Sequence, residues 1–279
     1  MLSVPMIAVG LLAGGDVVVQ AHTASPAVQV ATPTQPPTAG MHRVLDDGFA
    51  GLSLDGAVWD TCYPWAPSSP GCTNWGNDER EWYLPSQDVV SGGELHLVSQ
   101  GIPTEGTTRS LQPQQYPCRS GMVTTYPGLR FTYGYVQVRA KLPAGPLWSA
   151  IWLVASNFQW PPEIDIAESW SDGTPASFLK MGSMTEPNEI AVDAKDSFSG
   201  VPTHIDAGWH TYGLLWTAKS VTWYLDGRPI ARTTRGVPDQ SMYLVIDLAD
   251  ASSTVVTPSC NGSLDVRRVQ VWQRSQIGS

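Results

Sequence analysis

Short runs of alternating apolar and polar residues, bounded by turn-forming residues, constrain the fold of this chain most strongly. In the run 135–142, Val, Val, Ala and Leu fall on one face of an extended strand, whereas Tyr, Gln, Arg and Lys fall on the other. The runs 94–98 and 242–248 are also short and are bounded by Gly, Ser or Asp. The sequence shows neither a long amphipathic helix nor an internal repeat. It therefore predicts an all-β fold, in which two antiparallel sheets pack as a β-sandwich.

One hairpin is visible in the sequence itself. Residues 221–232 contain two strand-like stretches separated by Asp226 and Gly227. This dipeptide accepts the positive φ angles of the two-residue turn whose twist matches that of paired strands. We therefore expect a strand on each side of it.

Three segments follow one another along the chain. Residues 1–21 contain an apolar stretch and then small residues around Val19–Ala21, and they are predicted to be a secretory signal peptide. A hydrophobic tail is the alternative, because no Lys or Arg precedes the apolar stretch. That stretch is too short to span a membrane. Residues 22–40 are rich in Pro, Thr and Ala and are interpreted as a linker, which leaves 41–279 as the folded domain of a secreted protein.

Charge and cysteine content narrow the class of protein. With 16 basic and 25 acidic residues the formal net charge is −9, which argues against binding to nucleic acid or to an anionic membrane. Four cysteines in an exported chain suggest two disulfides. Cys62 and Cys72 close a short loop, so we pair them, which leaves Cys118 with Cys260. The cysteines lack the spacing of a zinc site.

The segment 160–170 is the most informative for function, because Glu163, Asp165 and Glu168 occur within six positions of it. On a helix, the two glutamates would point about 140° apart. On a regular strand, Glu163 and Asp165 share a face and Glu168 lies on the opposite one. A β-bulge around Ala167 returns Glu168 to the face of the other two acids and leaves the intervening isoleucines on the core side.

Three acids on one face fit a particular chemistry. Retaining glycosidases use two carboxyl groups about 5–5.5 Å apart, one as nucleophile and one as acid/base. The α-carbons of Glu163 and Glu168 would lie about 13 Å apart at about 3.3 Å per step, and their side chains can converge on a concave sheet. Asp165, between them, would share a proton or hydrogen bond with a neighbour and drive the pKa values apart. An acidic strand beside a metal site or solvent is the alternative.

The segment EIDIAE resembles the E-x-D-x-x-E signature of glycoside hydrolase family 16 in its bulged form. The resemblance covers nearly all of residues 42–273, in the order of the family. The family's N-N-E-L-Q-Y pattern appears loosely in residues 76–83. The other segments that carry the resemblance are 133–143, 147–153, 208–212, 221–227 and 264–272.

The resemblance implies a jelly roll with a concave substrate cleft. It also implies Glu163 as nucleophile, Asp165 as an assisting group and Glu168 as general acid/base. The bulged form is shared by laminarinase-like, agarase-like and carrageenase-like members. Many of these carry a histidine on the strand after the motif, but residues 180–185 contain none. The sequence therefore leaves the sugar open among these branches.

Several side chains are candidates for contact with the sugar. An indole face can stack on a sugar ring, and Trp148 and Trp160 border the predicted catalytic strands. Arg139 is equally well a solvated strand residue. For three further tryptophans we expect a place in the core: Trp152, Trp216 and Trp223. The predicted substrate-binding residues are Trp148, Trp160, Asn77 and Arg139.

The sequence thus predicts a secreted, endo-acting, retaining glycoside hydrolase whose partner is a β-linked polysaccharide, with β-1,3-glucan as the first choice. A transglycosylase or a galactan-type hydrolase is the alternative, and a non-catalytic carbohydrate-binding protein is a third. No cofactor and no catalytic metal are expected. Family analogy allows a structural calcium near the termini, with Asp265 as the candidate ligand. We expect a monomer without a membrane span.

Overall fold

The computed structural model describes residues 35–66, 71–143, 145, 147–170, 177–186, 204–205, 207–250 and 260–275. The predicted signal peptide lies outside the described residues, as does the predicted linker up to residue 34. The described residues belong to one compact unit, Pro33–Ser279.

Strands make up almost all of the regular structure in this part of the chain, and Pro85–Gln87 forms a short 3₁₀ turn. In chain order the strands are β1 Met41–Asp47, β2 Glu81–Tyr83, β3 Asp88–Ser91, β4 Glu94–Ser99, β5 Thr104–Thr107, β6 Pro113–Tyr116, β7 Cys118–Ser120, β8 Met122–Thr124, β9 Gly134–Lys141, β10 Trp148–Ala155, β11 Glu163–Trp170, β12 Ser177–Met184, β13 His204–Ile205, β14 His210–Thr217, β15 Ser220–Leu225, β16 Arg228–Thr233, β17 Met242–Ala249 and β18 Gly262–Arg274.

Two large antiparallel sheets form the sandwich. The eight-stranded sheet has the order β16-β15-β14-β9-β18-β4-β3, and β1 also pairs with β18. The six-stranded sheet has the order β13-β12-β11-β10-β17-β8. The prediction of a two-sheet antiparallel sandwich is confirmed. Two small pairs add to it: β5 with β6 is antiparallel, whereas β2 with β7 is parallel, which the sequence did not predict.

The main core lies between the facing sides of the two sheets, as strand alternation requires. The apolar face of β9 is buried there, and so are Trp216 and Trp223, both of which were predicted in the core. The β15–β16 hairpin also forms as predicted, with φ of 50° at Asp226 and 77° at Gly227. These positive angles are the ones that the two-residue turn needs.

A second, smaller apolar cluster covers part of the outer face of the six-stranded sheet. Ala150, Trp152 and Val154 of β10 pack there against Tyr63 and Tyr83. The segment that supplies Tyr63 is closed by the disulfide between residues 62 and 72, and a second disulfide joins residues 118 and 260. Both predicted disulfide pairings are confirmed. In the described part of the chain, no helix is long and apolar enough to cross a membrane.

Candidate active site

A β-bulge in β11 orients the three acids. Along β12, Asp165 pairs with Gly182 and Glu168 pairs with Lys180, so three steps on β11 face only two on its neighbour. The pairing with β10 shows the same extra residue between Asp165 and Ala167. The bulge therefore lies at residues 166–167, which confirms the prediction of a bulge around Ala167.

The bulge determines which side chains of β11 face the core and which face the cleft. Ile164 and Ile166 are fully buried in the main core. Glu163, Asp165 and Glu168 instead line one cleft, with a volume of about 660 Å³, on the outer face of the six-stranded sheet. The three predicted acids are thus brought together on one face of one strand.

Glu163 is held by Trp160. The indole Nε1–H of Trp160 donates a hydrogen bond of 2.9 Å to Oε2 of Glu163. Burial and the negative charge of Glu168 raise the pKa of Glu163 to about 7. The Trp160 hydrogen bond, the positive charge of Lys180 and a hydrogen bond from Asp165 act in the opposite direction. Because each of these three groups stabilises the ionised carboxylate, they suit Glu163 to act as a nucleophile.

Glu168 is held at both carboxylate oxygens. Nε1 of Trp148 donates to Oε1 at 3.0 Å, and Nζ of Lys180 lies 2.9 Å from Oε2. The Glu168 side chain is only 7% exposed. A hydrogen bond from β10 and an ion pair with β12, the strands on either side of β11, therefore hold the carboxylate at the cleft wall.

Asp165 lies between the two glutamates and is 4% exposed. Burial raises the pKa of Asp165 well above its usual range, and the charges of Glu168 and Glu163 raise that pKa further. These effects favour the protonated form of Asp165, and the hydrogen bond it gives to Glu163 lowers the pKa of Glu163. Its backbone is fixed as well, because Nε1 of Trp223 donates to its carbonyl oxygen at 2.8 Å from across the core.

The predicted sugar contacts divide into two groups. Trp148, Trp160 and Asn77 all line the cleft with the acids. Arg139 does not: it lies on β9 of the other sheet, where its buried neighbours Val138 and Ala140 face the core. The exposed Arg139 side chain therefore projects from the opposite side of the sandwich, and its prediction as a substrate-binding residue is wrong.

A second group of carboxyl groups in the cleft was missed from the sequence. The hydroxyl of Tyr83 lies 3.1 Å from Oε2 of Glu79 and 3.3 Å from Oδ2 of Asp247. Nε1 of Trp152 donates to Oδ1 of Asp247 at 2.7 Å. Burial raises the pKa of Asp247 to about 7 and raises the pKa of Glu79 well above its usual range, the latter with help from the charge of Glu81. Glu79 and Asp247 line the cleft, and so does Trp152, which was predicted in the core and is buried in the second cluster.

The side chains around Asp265 do not by themselves supply the full ligand set of a calcium ion. Oδ1 of Asp265 accepts a hydrogen bond from Ser263 Oγ at 2.6 Å and lies 2.8 Å from Nδ1 of His96. Nζ of Lys141 is 3.9 Å from its other oxygen. Glu94, His96 and Asp265 each offer one ligand atom within 4.8 Å of the others, whereas calcium takes about six to eight oxygen ligands.

Comparisons with known proteins agree with this geometry. The sequence profile of glycosyl hydrolases family 16 matches residues 97–262, more than half of the chain. Endo-1,3-1,4-beta-glycanase EglC of Rhizobium meliloti (strain 1021) is 32% identical over 226 residues, which cover 74% of this chain and 46% of that relative. Glucan endo-1,3-beta-glucosidase A1 of Niallia circulans is 28% identical over 283 residues, which cover 88% of this chain and 40% of that relative. The chain thus spans less than half the length of either relative.

The fold is also that of a solved laminarinase domain. The catalytic domain of an endo-1,3-beta-glucanase from Thermotoga petrophila RKU-1 superimposes with a TM-score of 0.63 at 20% identity, over 85% of this chain and 99% of that one. This likeness identifies the sandwich as a jelly roll. Since the family profile covers more than half of the sequence, the chain belongs to glycosyl hydrolases family 16.

Proposed function

We propose that the chain is an endo-acting glucanase that cleaves β-1,3-glucan with retention of configuration, and that it acts outside the cell. The observation that carries the proposal is the placement of Glu163 and Glu168 on one face of a bulged strand, each held by an indole N–H. The substrate is supported by the two relatives, an endo-1,3-1,4-beta-glycanase and a glucan endo-1,3-beta-glucosidase. Two disulfides fit an oxidising compartment.

In the first chemical step, Glu163 acts as the nucleophile. Its carboxylate oxygen bonds to the anomeric carbon while the glycosidic C–O bond breaks, and Glu168 gives its proton to the departing oxygen. The Trp160 N–H remains on the other oxygen of Glu163 and orients the attacking one. Asp165 contributes a hydrogen bond to the Glu163 carboxylate.

In the second step, Glu168 acts as the base. It takes a proton from water as the water oxygen bonds to the anomeric carbon, and the ester bond to Glu163 breaks to regenerate the carboxylate. Two inversions at the same carbon restore the β configuration.

The walls of the cleft suit a glucan chain. Aromatic rings line it together with the acids, and such rings stack on the apolar faces of sugars. Trp160 is 58% exposed and Phe158 is 44% exposed, so both present a face to an incoming chain. The aromatic residues of the lining are Trp65, Trp75, Trp148, Trp152, Phe158 and Trp160.

A panel assay with the purified chain tests the proposal. Release of reducing ends should be fastest on laminarin when mixed-linkage glucan, agarose and carrageenan are compared, and Glu163→Gln is the matched inactive control. Proton NMR early in laminarin hydrolysis should show the β anomer of the new reducing end first. An α anomer would exclude double displacement, and laminarin binding without turnover of any polysaccharide would favour a carbohydrate-binding protein.

A further inference from the structure

The strand after the catalytic motif places a lysine in contact with the acid/base residue. Glu168 and Lys180 are direct partners in the β11–β12 register, so the ion pair depends on the bulge that turns Glu168 towards the cleft. Nζ of Lys180 is 2.9 Å from Oε2 of Glu168, and the two side chains are 29% and 7% exposed. A pair this sheltered is screened much less than one on the open surface.

The positive charge of Lys180 interacts with all three acids. Burial tends to lower the pKa of Lys180, but the negative charge of Glu168, then those of Asp165 and Glu163, outweighs it and the pKa is raised. Lys180 is therefore an ammonium group throughout the working range. Its positive charge lowers the pKa of Glu163 and of Asp165.

The other charged groups that line this cleft do not contact Glu168 through any hydrogen bond or ion pair found among the described residues. They are Glu79 on the segment before β2, Arg109 before β6 and Asp247 on β17. The negative charge of Glu168 raises the pKa of Asp247, so Asp247 is a further acidic group whose ionisation responds to the charge of Glu168.

We propose that Lys180 is the shared counter-ion of the three carboxyl groups, that it positions Glu168 for proton transfer, and that it sets the pH range over which the cleft works. The inference rests on the proposed function. When Glu168 gives its proton to the leaving oxygen it becomes a carboxylate beside the ammonium group, and when it takes a proton from water that charge is removed. Lys180 thus acts through Glu168 and is a positioning residue.

Neutral and charge-conserving substitutions separate this role from a purely structural one. Lys180→Met keeps most of the side-chain length but removes the charge, and Lys180→Arg keeps the charge. Without the ammonium group, ionised carboxylates in the cleft lose a stabilising partner. Both limbs of the bell-shaped kcat/KM profile on laminarin should therefore move to higher pH by about one unit or more in Lys180→Met. Lys180→Arg should restore most of the wild-type profile. A Lys180→Met profile that is lower but centred at the wild-type pH would overturn the proposal.

A titration that needs no turnover keeps the proposal separate from the proposed function. Carbon-13 NMR of the glutamate side-chain carboxyl groups, with Glu163→Gln to assign the signal, should show Glu163 titrating at higher pH in Lys180→Met than in the wild type. Identical titration curves would refute the shared counter-ion even if the enzyme is active. A wild-type chain that hydrolyses no polysaccharide would refute the proposed function while leaving this measurement intact.

Discussion

Replacing Trp160 with phenylalanine removes one hydrogen bond to Glu163, the proposed nucleophile, and keeps an aromatic ring in the cleft. The indole N–H of Trp160 donates to Oε2 of Glu163 at 2.9 Å, and this bond lowers the pKa of Glu163. Without it, the ionised form of Glu163 is less stable, so its pKa rises above the present value of about 7. The proposed first step needs ionised Glu163. The acid limb of the kcat/KM profile should therefore move to higher pH in Trp160→Phe.

The size of the shift follows from the strength of the bond. A hydrogen bond to a charged group is worth about 1.5–3 kcal/mol. Trp160 is 58% exposed, so water replaces part of the lost interaction, and we take the lower end of that range. One pKa unit corresponds to about 1.4 kcal/mol, which gives a shift of about one unit. On the acid limb, kcat/KM should fall about tenfold, whereas near the plateau it should change little.

The assay is kcat/KM on laminarin across a pH series for the wild type, Trp160→Phe and Trp148→Phe. Trp148→Phe is the matched control, because the same indole-to-phenyl change removes a 3.0 Å hydrogen bond from Glu168 instead. It should leave the acid limb in place. If the acid limb of Trp160→Phe coincides with that of the wild type, the indole N–H does not govern ionisation of Glu163 and the reasoning is wrong.

Three further perturbations test the site and the fold. Glu163→Ala should lower kcat by several orders of magnitude, and added azide should restore turnover as an α-glycosyl azide; residual activity above about a tenth would contradict the assignment, since a tenfold change is only about 1.4 kcal/mol. Asp165→Asn should lower kcat more than it changes KM and should shift the pH–rate profile, because it removes a buried titratable group whose pKa is raised by burial and by the charges of both glutamates; an unshifted profile with near-normal kcat would leave a pair of glutamates acting alone. Cys118→Ser opens a disulfide with a sequence separation of 142, whereas Cys62→Ser opens one of 10. Chain entropy predicts that the first change costs about 2 kcal/mol more in unfolding free energy, so equal losses in denaturant titrations would argue against that account.

Local patterns in the sequence predicted the strand faces and the bulge because their causes are local. Alternation at period two places a residue on one side of a strand or the other, whatever the partner strand is. In β11, the two isoleucines and the three acids can all be satisfied only if one residue is extra, and the bulge at residues 166–167 follows. The Asp226-Gly227 turn is equally local, since its positive φ angles are set within two residues.

The pairing of strands that are distant in sequence could not be predicted in the same way, and Arg139 illustrates why. Alternation correctly separates Arg139 from the core, but it does not say whether the outer face of its sheet is the one that bears the cleft. That depends on β9 pairing with β14 and β18, which are distant in sequence. Lys180 and Asp247 were missed for a related reason. Lys180 meets Glu168 through the register of β11 with β12, and Asp247 reaches the cleft through its pairing with Ala150 of β10.

The backbone of Asp165 connects the main core to the cleft that holds the three acids. A bulge interrupts the regular ladder, and the backbone polar groups around it still need partners because they are buried. Trp223, fully buried on β15 of the other sheet, donates its indole N–H to the carbonyl oxygen of Asp165 at 2.8 Å. A slip of β11 by one residue would break this bond, place isoleucine side chains in the cleft and bury carboxylates among apolar side chains, which is costly without partners. The direction of the three acids is therefore fixed by the packing of both sheets, and the same packing that stabilises the sandwich keeps Glu163 and Glu168 on one face.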